Sequence, residues 1–103
     1  MARSNKADAA LDALGNPMRR RIVRLLAEKP RAVGELAAKL PVTRPAVSKH
    51  LAILRKADLV VRDKRGNRNV FRLHAAGFES ARGWLDEFWD EALENLRALA
   101  EKR

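Results

Sequence analysis

The chain contains no cysteine. That single absence excludes disulfides, thiolate metal sites and thiol redox chemistry together, and it fits a reducing compartment. No apolar run is long enough to cross a bilayer. The N-terminal Met1-Ala2-Arg3-Ser4-Asn5-Lys6 lacks the apolar stretch of a secretory signal, so a cytoplasmic location with no membrane partner is expected. No internal repeat and no low-complexity run occurs. Histidine is scarce, with only His50 and His74. His50 shares a helical face with Ala46, Val47 and Leu54 and reads as a packed, hydrogen-bonded residue. His74 has no second ligand within sequence reach, and a metal site needs several. No nucleophile has a paired base, and no glycine-rich phosphate loop is present. Neither an enzyme nor a bound metal or cofactor is expected.

What remains is a globular composition. Of the 103 residues, 47% are hydrophobic and 34% charged, enough for one domain with one core. The net charge is +9, and its distribution is uneven. Residues 75–103 carry four basic and seven acidic side chains, a balance of −3, which leaves +12 on residues 1–74. A polyanion would bind the first three quarters of the chain. Charge alone does not separate nucleic acid from an anionic membrane.

The local patterns are mostly helical. Residues 7–14 have apolar positions at helical spacing, and Gly15 stops them. Asn16 is a good N-cap and Pro17 a good first residue for a second helix reaching about Lys29. Its buried stripe is Ile22, Val23, Leu25 and Leu26. Pro30 and Arg31 form a connection. A short helix from Val33 to Leu40 points Val33, Leu36, Ala37 and Leu40 inward. Thr43 caps a fourth helix running to about Lys56, with Pro45 tolerated in its first turn. The character then changes. Leu59 to Lys64 is a β-branched strand candidate, Arg65-Gly66-Asn67-Arg68 a turn, and Val70 to Leu73 a returning strand. Gly77 precedes a last helix, roughly 78–101.

Two helices joined by about three residues and followed by a hairpin define a winged helix-turn-helix, a mainly α fold with a two-stranded β-wing. The helix-turn-helix is expected over 33–57 and the wing over 59–74, within one domain spanning 1–103. The second helix of such a pair lies in the major groove of DNA. Val47, Leu51 and Leu54 must hold it to the core, which leaves Arg44, Pro45, Ser48, Lys49 and Ala52 outward. Arg44 suits guanine, Lys49 guanine or phosphate, Ser48 base or phosphate, and Pro45 a thymine methyl. At the wing, Lys64, Arg65, Asn67 and Arg68 surround a turn in which Gly66 and Asn67 permit positive φ, so the cations project on both sides. A protein-interaction module that uses the fold without DNA is the alternative; the basic wing argues against it.

The last helix is apolar at Ala81, Trp84, Leu85, Phe88, Trp89, Ala92, Leu93, Leu96 and Leu99. That face is wide enough for two neighbours, the chain's own core and a second copy. Its carboxylates read as a solvated face. A dimer would place two recognition helices about one DNA turn apart on a near-palindromic operator. A dimer cleft near Trp84 and Trp89 would suit a small apolar inducer.

Four stretches carry a family resemblance: Leu14-Gly15-Asn16-Pro17-Met18-Arg19-Arg20-Arg21-Ile22; Gly34-Glu35-Leu36-Ala37; Ser48-Lys49-His50-Leu51 with Leu54-Arg55-Lys56-Ala57-Asp58-Leu59-Val60; and the wing with Phe71-Arg72-Leu73. Together they resemble the ArsR family of bacterial winged-helix repressors. The resemblance implies a homodimer built from helices at 1–14 and 78–101, with Leu11, Leu14, Trp84, Phe88, Trp89, Leu93 and Leu96 at the interface. It also implies repression by occupancy of a promoter. The third helix has no cysteine and the last no histidine, so the chain looks like the metal-independent branch.

Overall fold

The computed structural model describes the backbone of residues 2–102 and the side chains of residues 6–102. The outermost positions of the expected domain, Met1 and Arg103, lie outside the described residues. The order is α1 (Ala2–Leu14), α2 (Pro17–Glu28), α3 (Val33–Lys39), α4 (Arg44–Lys56), β1 (Val60–Arg65), β2 (Arg68–Leu73) and α5 (Ala75–Glu101). This is a winged helix-turn-helix with five helices and a two-stranded antiparallel sheet.

The helix starts follow their caps. Asn16 Oδ1 accepts the Met18 and Arg19 N–H groups at 2.9 and 3.1 Å, and Pro17 takes the first position of α2. Thr43 Oγ1 accepts the Ala46 N–H at 3.3 Å and opens α4. Two starts differ from expectation. Helix α1 begins at Ala2, five residues early, because the polar residues before Ala7 contain no helix breaker but add nothing to an apolar pattern. Helix α5 begins at Ala75, so Gly77 lies within its first turn.

The end of α1 is closed from outside. Arg19 Nε donates to Ala13 O at 2.6 Å, and Arg20 Nη1 donates to Leu14 O at 2.9 Å. These carbonyls have no partner inside their own helix. Two arginines of the basic run in α2 are thereby committed to structure.

The core lies between the helix pair and the wing root. Ile22, Leu36, Val47, Leu51, Leu54, Leu59 and Val60 are fully buried. Sheet pairing runs from Val60 opposite Leu73 to Arg65 opposite Arg68. Only Gly66 and Asn67 form the turn, and only Gly66 takes positive φ, at 63°. Glycine at the first turn position is the pattern of a type II′ hairpin, whose twist matches its strands.

The wing is fastened to the body at Arg31. Its N–H donates to Phe71 O at 3.0 Å, and its carbonyl accepts from Phe71 N at 2.8 Å, forming an isolated antiparallel bridge. The Arg31 side chain is itself buried. Its Nε donates to Leu25 O at 3.0 Å, and its Nη2 meets Glu28 Oε1 at 2.6 Å. The sequence marked this position only as a connection.

A reversal after α4 fixes the rest. The Asp58 N–H donates to Arg55 O, and the Leu59 N–H donates to Leu54 O, both at 3.0 Å. This is a Schellman motif with Asp58 in the left-handed region at φ 65°, where glycine is usual. The Asp58 carbonyl then presses against Gly77 of α5, where an added Cβ would overlap its oxygen. Glycine is required there by close approach, not by conformation. Gly77→Ala is expected to lower stability by about 2 kcal/mol through overpacking, read as a fall in the urea midpoint; an unchanged midpoint would contradict the contact.

Candidate nucleic-acid interface

Helix α4 divides by face as the 3.6-residue period requires. Val47, Leu51 and Leu54 are buried, while Arg44, Pro45, Ser48, Lys49 and Ala52 are exposed. Burial of the inner face holds the outer one outward. Helices α3 and α4 are joined by residues 40–43, and α3 packs on α4.

Arg44 does not stand straight out. Its guanidinium lies over Gly34 of α3, where an added Cβ would sit 3.0 Å from Nη2. The lack of a side chain at Gly34 makes room for it. Lys49 and Ser48 form no ion pair or side-chain hydrogen bond among the described residues.

The wing tip is less free than its composition suggests. Lys64, Arg65, Asn67 and Arg68 are all exposed. Arg68 Nη2, however, meets Glu35 Oε1 of α3 at 2.6 Å. The same Glu35 oxygen accepts the Ala32 N–H at 3.1 Å, the half of a capping box that an alanine N-cap leaves possible. The Ala32 N–H, and after it the Arg68 guanidinium, hold the Glu35 carboxyl below its ordinary range. Arg68 therefore ties the wing to α3, a role that its place in a basic turn did not reveal. Arg72 is likewise paired across the strands with Asp63 at 2.7 Å. Lys64 and Arg65 hold no ion pair among the described residues.

The expected dimer residues fall into two groups. Phe88, Trp89, Leu93 and Leu96 are exposed, with Leu99 beyond them, at 45–63% of their surface. Trp84 is half-buried and stacks on Phe88, with ring centroids 5.5 Å apart and planes within 6°. Leu11 and Leu14 are half-buried, and Leu14 packs against the protomer's own core. The buried face of α1 is Ala7, Ala10 and Ala13.

Both histidines are structural neighbours of this machinery. His74 ends the wing, and its Nδ1–H donates to Asp58 O (3.2 Å) and Asp58 Oδ1 (3.0 Å). His50 is packed as expected but not hydrogen-bonded at its buried Nδ1, which meets no partner among the described residues. Among those residues no three potential metal ligands are gathered.

This arrangement is that of a DNA-binding regulator of the winged helix-turn-helix class. A family model for the bacterial regulatory proteins of the arsR family matches residues 16–61. The chain is 46% identical to the HTH-type transcriptional regulator Rv2034 of Mycobacterium tuberculosis, over 96% of this chain and 92% of that one. Its fold is similar to an ArsR-like transcriptional regulator from Rhodococcus sp. RHA1, with a TM-score of 0.87, 26% identity, and 98% and 95% of the two chains covered. It is also similar to the homodimeric winged helix-turn-helix DNA-binding domain of Mb0332 from Mycobacterium bovis, with a TM-score of 0.70, 30% identity, and 91% and 87% covered. The chain belongs to the ArsR family of transcriptional regulators, a family of regulators and not of enzymes. No helix among the described residues is long and apolar enough to cross a membrane.

Burial, and after it the Arg19 charge, push the His50 pKa below its ordinary value. A histidine that resists protonation only when folded makes stability greatest above its unfolded pKa, about 6.5, and lets it fall as pH drops through the lower folded value. Urea denaturation across about pH 7.5 to 5.5 should show this decline, and His50→Gln should flatten it. Equal pH dependence in both proteins would contradict the half-buried imidazole with its unpartnered Nδ1.

Proposed function

We infer that the chain binds double-stranded DNA in the cytoplasm as a homodimer and represses transcription by occupying a near-palindromic operator. The observation that carries this reading is the split of α4: a fully buried Val47–Leu51–Leu54 face opposite an exposed Arg44–Pro45–Ser48–Lys49 face. In the groove, Arg44 and Lys49 would meet guanine edges or phosphate, Ser48 a base or phosphate, and Pro45 a thymine methyl. Arg44 would swing from Gly34 to do so. Lys64, Arg65 and Asn67 would reach the flanking backbone, while Arg68 would exchange Glu35 for phosphate.

Two further features support the dimer. The exposed stripe Phe88, Trp89, Leu93, Leu96 and Leu99 matches the face a second copy would cover. The similar Mb0332 domain is homodimeric. In this reading Trp84, Leu11 and Leu14 line the edge of the interface and the exposed stripe its centre. A small-molecule inducer would enter beside α5. A cleft of about 310 Å³ there is lined by Trp84, Lys6, Ser80, Gly83, Glu79 and Glu87, while Trp89 lies outside it.

The test uses operator duplexes selected from a random pool by the purified protein. Arg44→Ala with Lys49→Ala should weaken the selected duplex by about 10- to 100-fold per lost base contact and leave mixed-sequence binding much less changed. Unchanged affinity and specificity would sink this surface. A reporter driven through the selected site should rise when the gene is deleted; a fall would mean activation. Separately, Trp89→Glu with Leu93→Glu should turn a sedimenting dimer into a folded monomer with weaker operator binding. A dimer that persists would move the interface elsewhere.

A further inference from the structure

We propose that Arg55, Lys56 and Arg62 form a phosphate-binding groove that seats a strand of the DNA backbone between the recognition helix and the wing. The proposal rests on the DNA-binding reading above and extends the contact surface beyond the groove-facing residues and the wing tip.

The groove is a product of the reversal at Asp58. The chain leaves the last turn of α4, turns once, and enters β1 at Val60. The side chains of that last turn and of β1 therefore face each other across a concavity of about 480 Å³. Ala52, Arg55 and Lys56 line one side, and Val61 and Arg62 the other. Arg55, Lys56 and Arg62 are exposed. None of the three forms an ion pair or a side-chain hydrogen bond among the described residues. That separates them from Arg19, Arg20, Arg31, Arg68 and Arg72, whose guanidiniums are all engaged within the protein. The one acidic residue at the rim, Asp58, is engaged by His74 Nδ1 at 3.0 Å.

The groove also lies where a backbone would pass. Positions 45, 48, 49, 52, 55 and 56 follow one another along the outer stripe of α4 at helical spacing. Ala52 keeps that stripe low at its middle, which permits close approach. A 13-residue helix is about 20 Å long, whereas the major groove is about 12 Å wide. A helix of this length that enters the groove at an oblique angle, its first turn at base edges, would carry its last turn towards a phosphate strand. The negative end of the α4 dipole opposes an anion there. Three unpaired cations outweigh it, and the Schellman bonds already occupy two of the end carbonyls.

Backbone contacts position a protein without reading sequence. Neutralising them must weaken all duplexes alike. The experiment compares Arg55→Gln/Lys56→Gln/Arg62→Gln with the unaltered full chain on two probes, a mixed-sequence duplex and the duplex recovered by selection. Binding is measured across a salt series. The slope of log K against log salt should become shallower by about 0.9 for each cation that meets a phosphate. The ratio of selected to mixed-sequence affinity should stay constant. Arg82→Gln/Arg97→Gln, on α5, serves as the charge control and should leave the slope nearly unchanged. Arg55→Lys/Arg62→Lys should retain it, and circular dichroism confirms that each variant is folded. A triple variant whose slope falls no further than the control overturns the proposal, as does a loss confined to the selected duplex. An unaltered chain that retards neither duplex overturns the DNA-binding reading and this groove with it.

Discussion

One backbone carbonyl, that of Asp58, sets the relation between the second helix of the helix-turn-helix and the helix that carries the apolar stripe. Asp58 takes a left-handed conformation that costs a non-glycine residue on the order of 1 kcal/mol. Two Schellman hydrogen bonds and the contact with His74 hold it there. Its carbonyl rests against Gly77. Leu59 and Val60 then enter the core at once, so the wing root is fixed by the same turn. The turn that ends α4 thus meets α5 through backbone rather than through long side chains. Backbone contacts have no rotamers to absorb a shift, so displacement of one helix reaches the other directly.

The positive charge of the first 74 residues divides by what each cation already touches. Arg19 and Arg20 close the end of α1. Arg31 is buried and braces the turn between α2 and α3 against β2. Arg68 and Arg72 meet carboxylates. These five contribute to the net charge but not equally to a binding surface, because a paired cation must exchange one anion for another. Arg44, Lys49, Arg55, Lys56, Arg62, Lys64 and Arg65 have no such partner among the described residues and lie on α4 and β1; Lys6, Arg21, Arg24, Lys29 and Lys39 have none either and lie on the first three helices and the end of α2. Seven unpaired cations are therefore gathered on α4 and β1, while the five engaged arginines add to the net charge without being free to meet an anion.

This division explains what the sequence could reveal. The caps at Asn16 and Thr43, the inward stripe of α4 and the hairpin are local features, legible because a few adjacent residues determine them. The exposed positions of α4 followed from helical period alone. The Asp58–Gly77 contact, the Arg31–Phe71 bridge and the Glu35–Arg68 pair join residues 19, 40 and 33 positions apart. Nothing in the neighbourhood of Gly77 distinguishes a helix-stopping glycine from one that admits a carbonyl, so the start of α5 was read three residues late. Arg31 beside Pro30 looked like a surface connection because no single-sequence signal marks a buried guanidinium. Exposure and charge at these positions are local and therefore legible; the choice of base depends on the duplex and is written in no neighbouring residue.

The acidic balance of α5 completes the electrostatic logic. A 27-residue helix is about 40 Å long and accounts for much of the 63 Å long axis of the molecule. Its first turns pack on Asp58 and α1, while its later turns extend with their apolar side chains exposed. Apolar surface of that extent favours association, and association of two +9 chains is opposed by their mutual repulsion. The excess of carboxylates over residues 75–103 lowers the net charge of each copy from +12 to +9 and so lessens that overall repulsion. In the proposed dimer the same charge asymmetry would serve both surfaces: the acidic, apolar-striped helix would meet its copy, and its acidity would keep DNA on the side of α4 and β1.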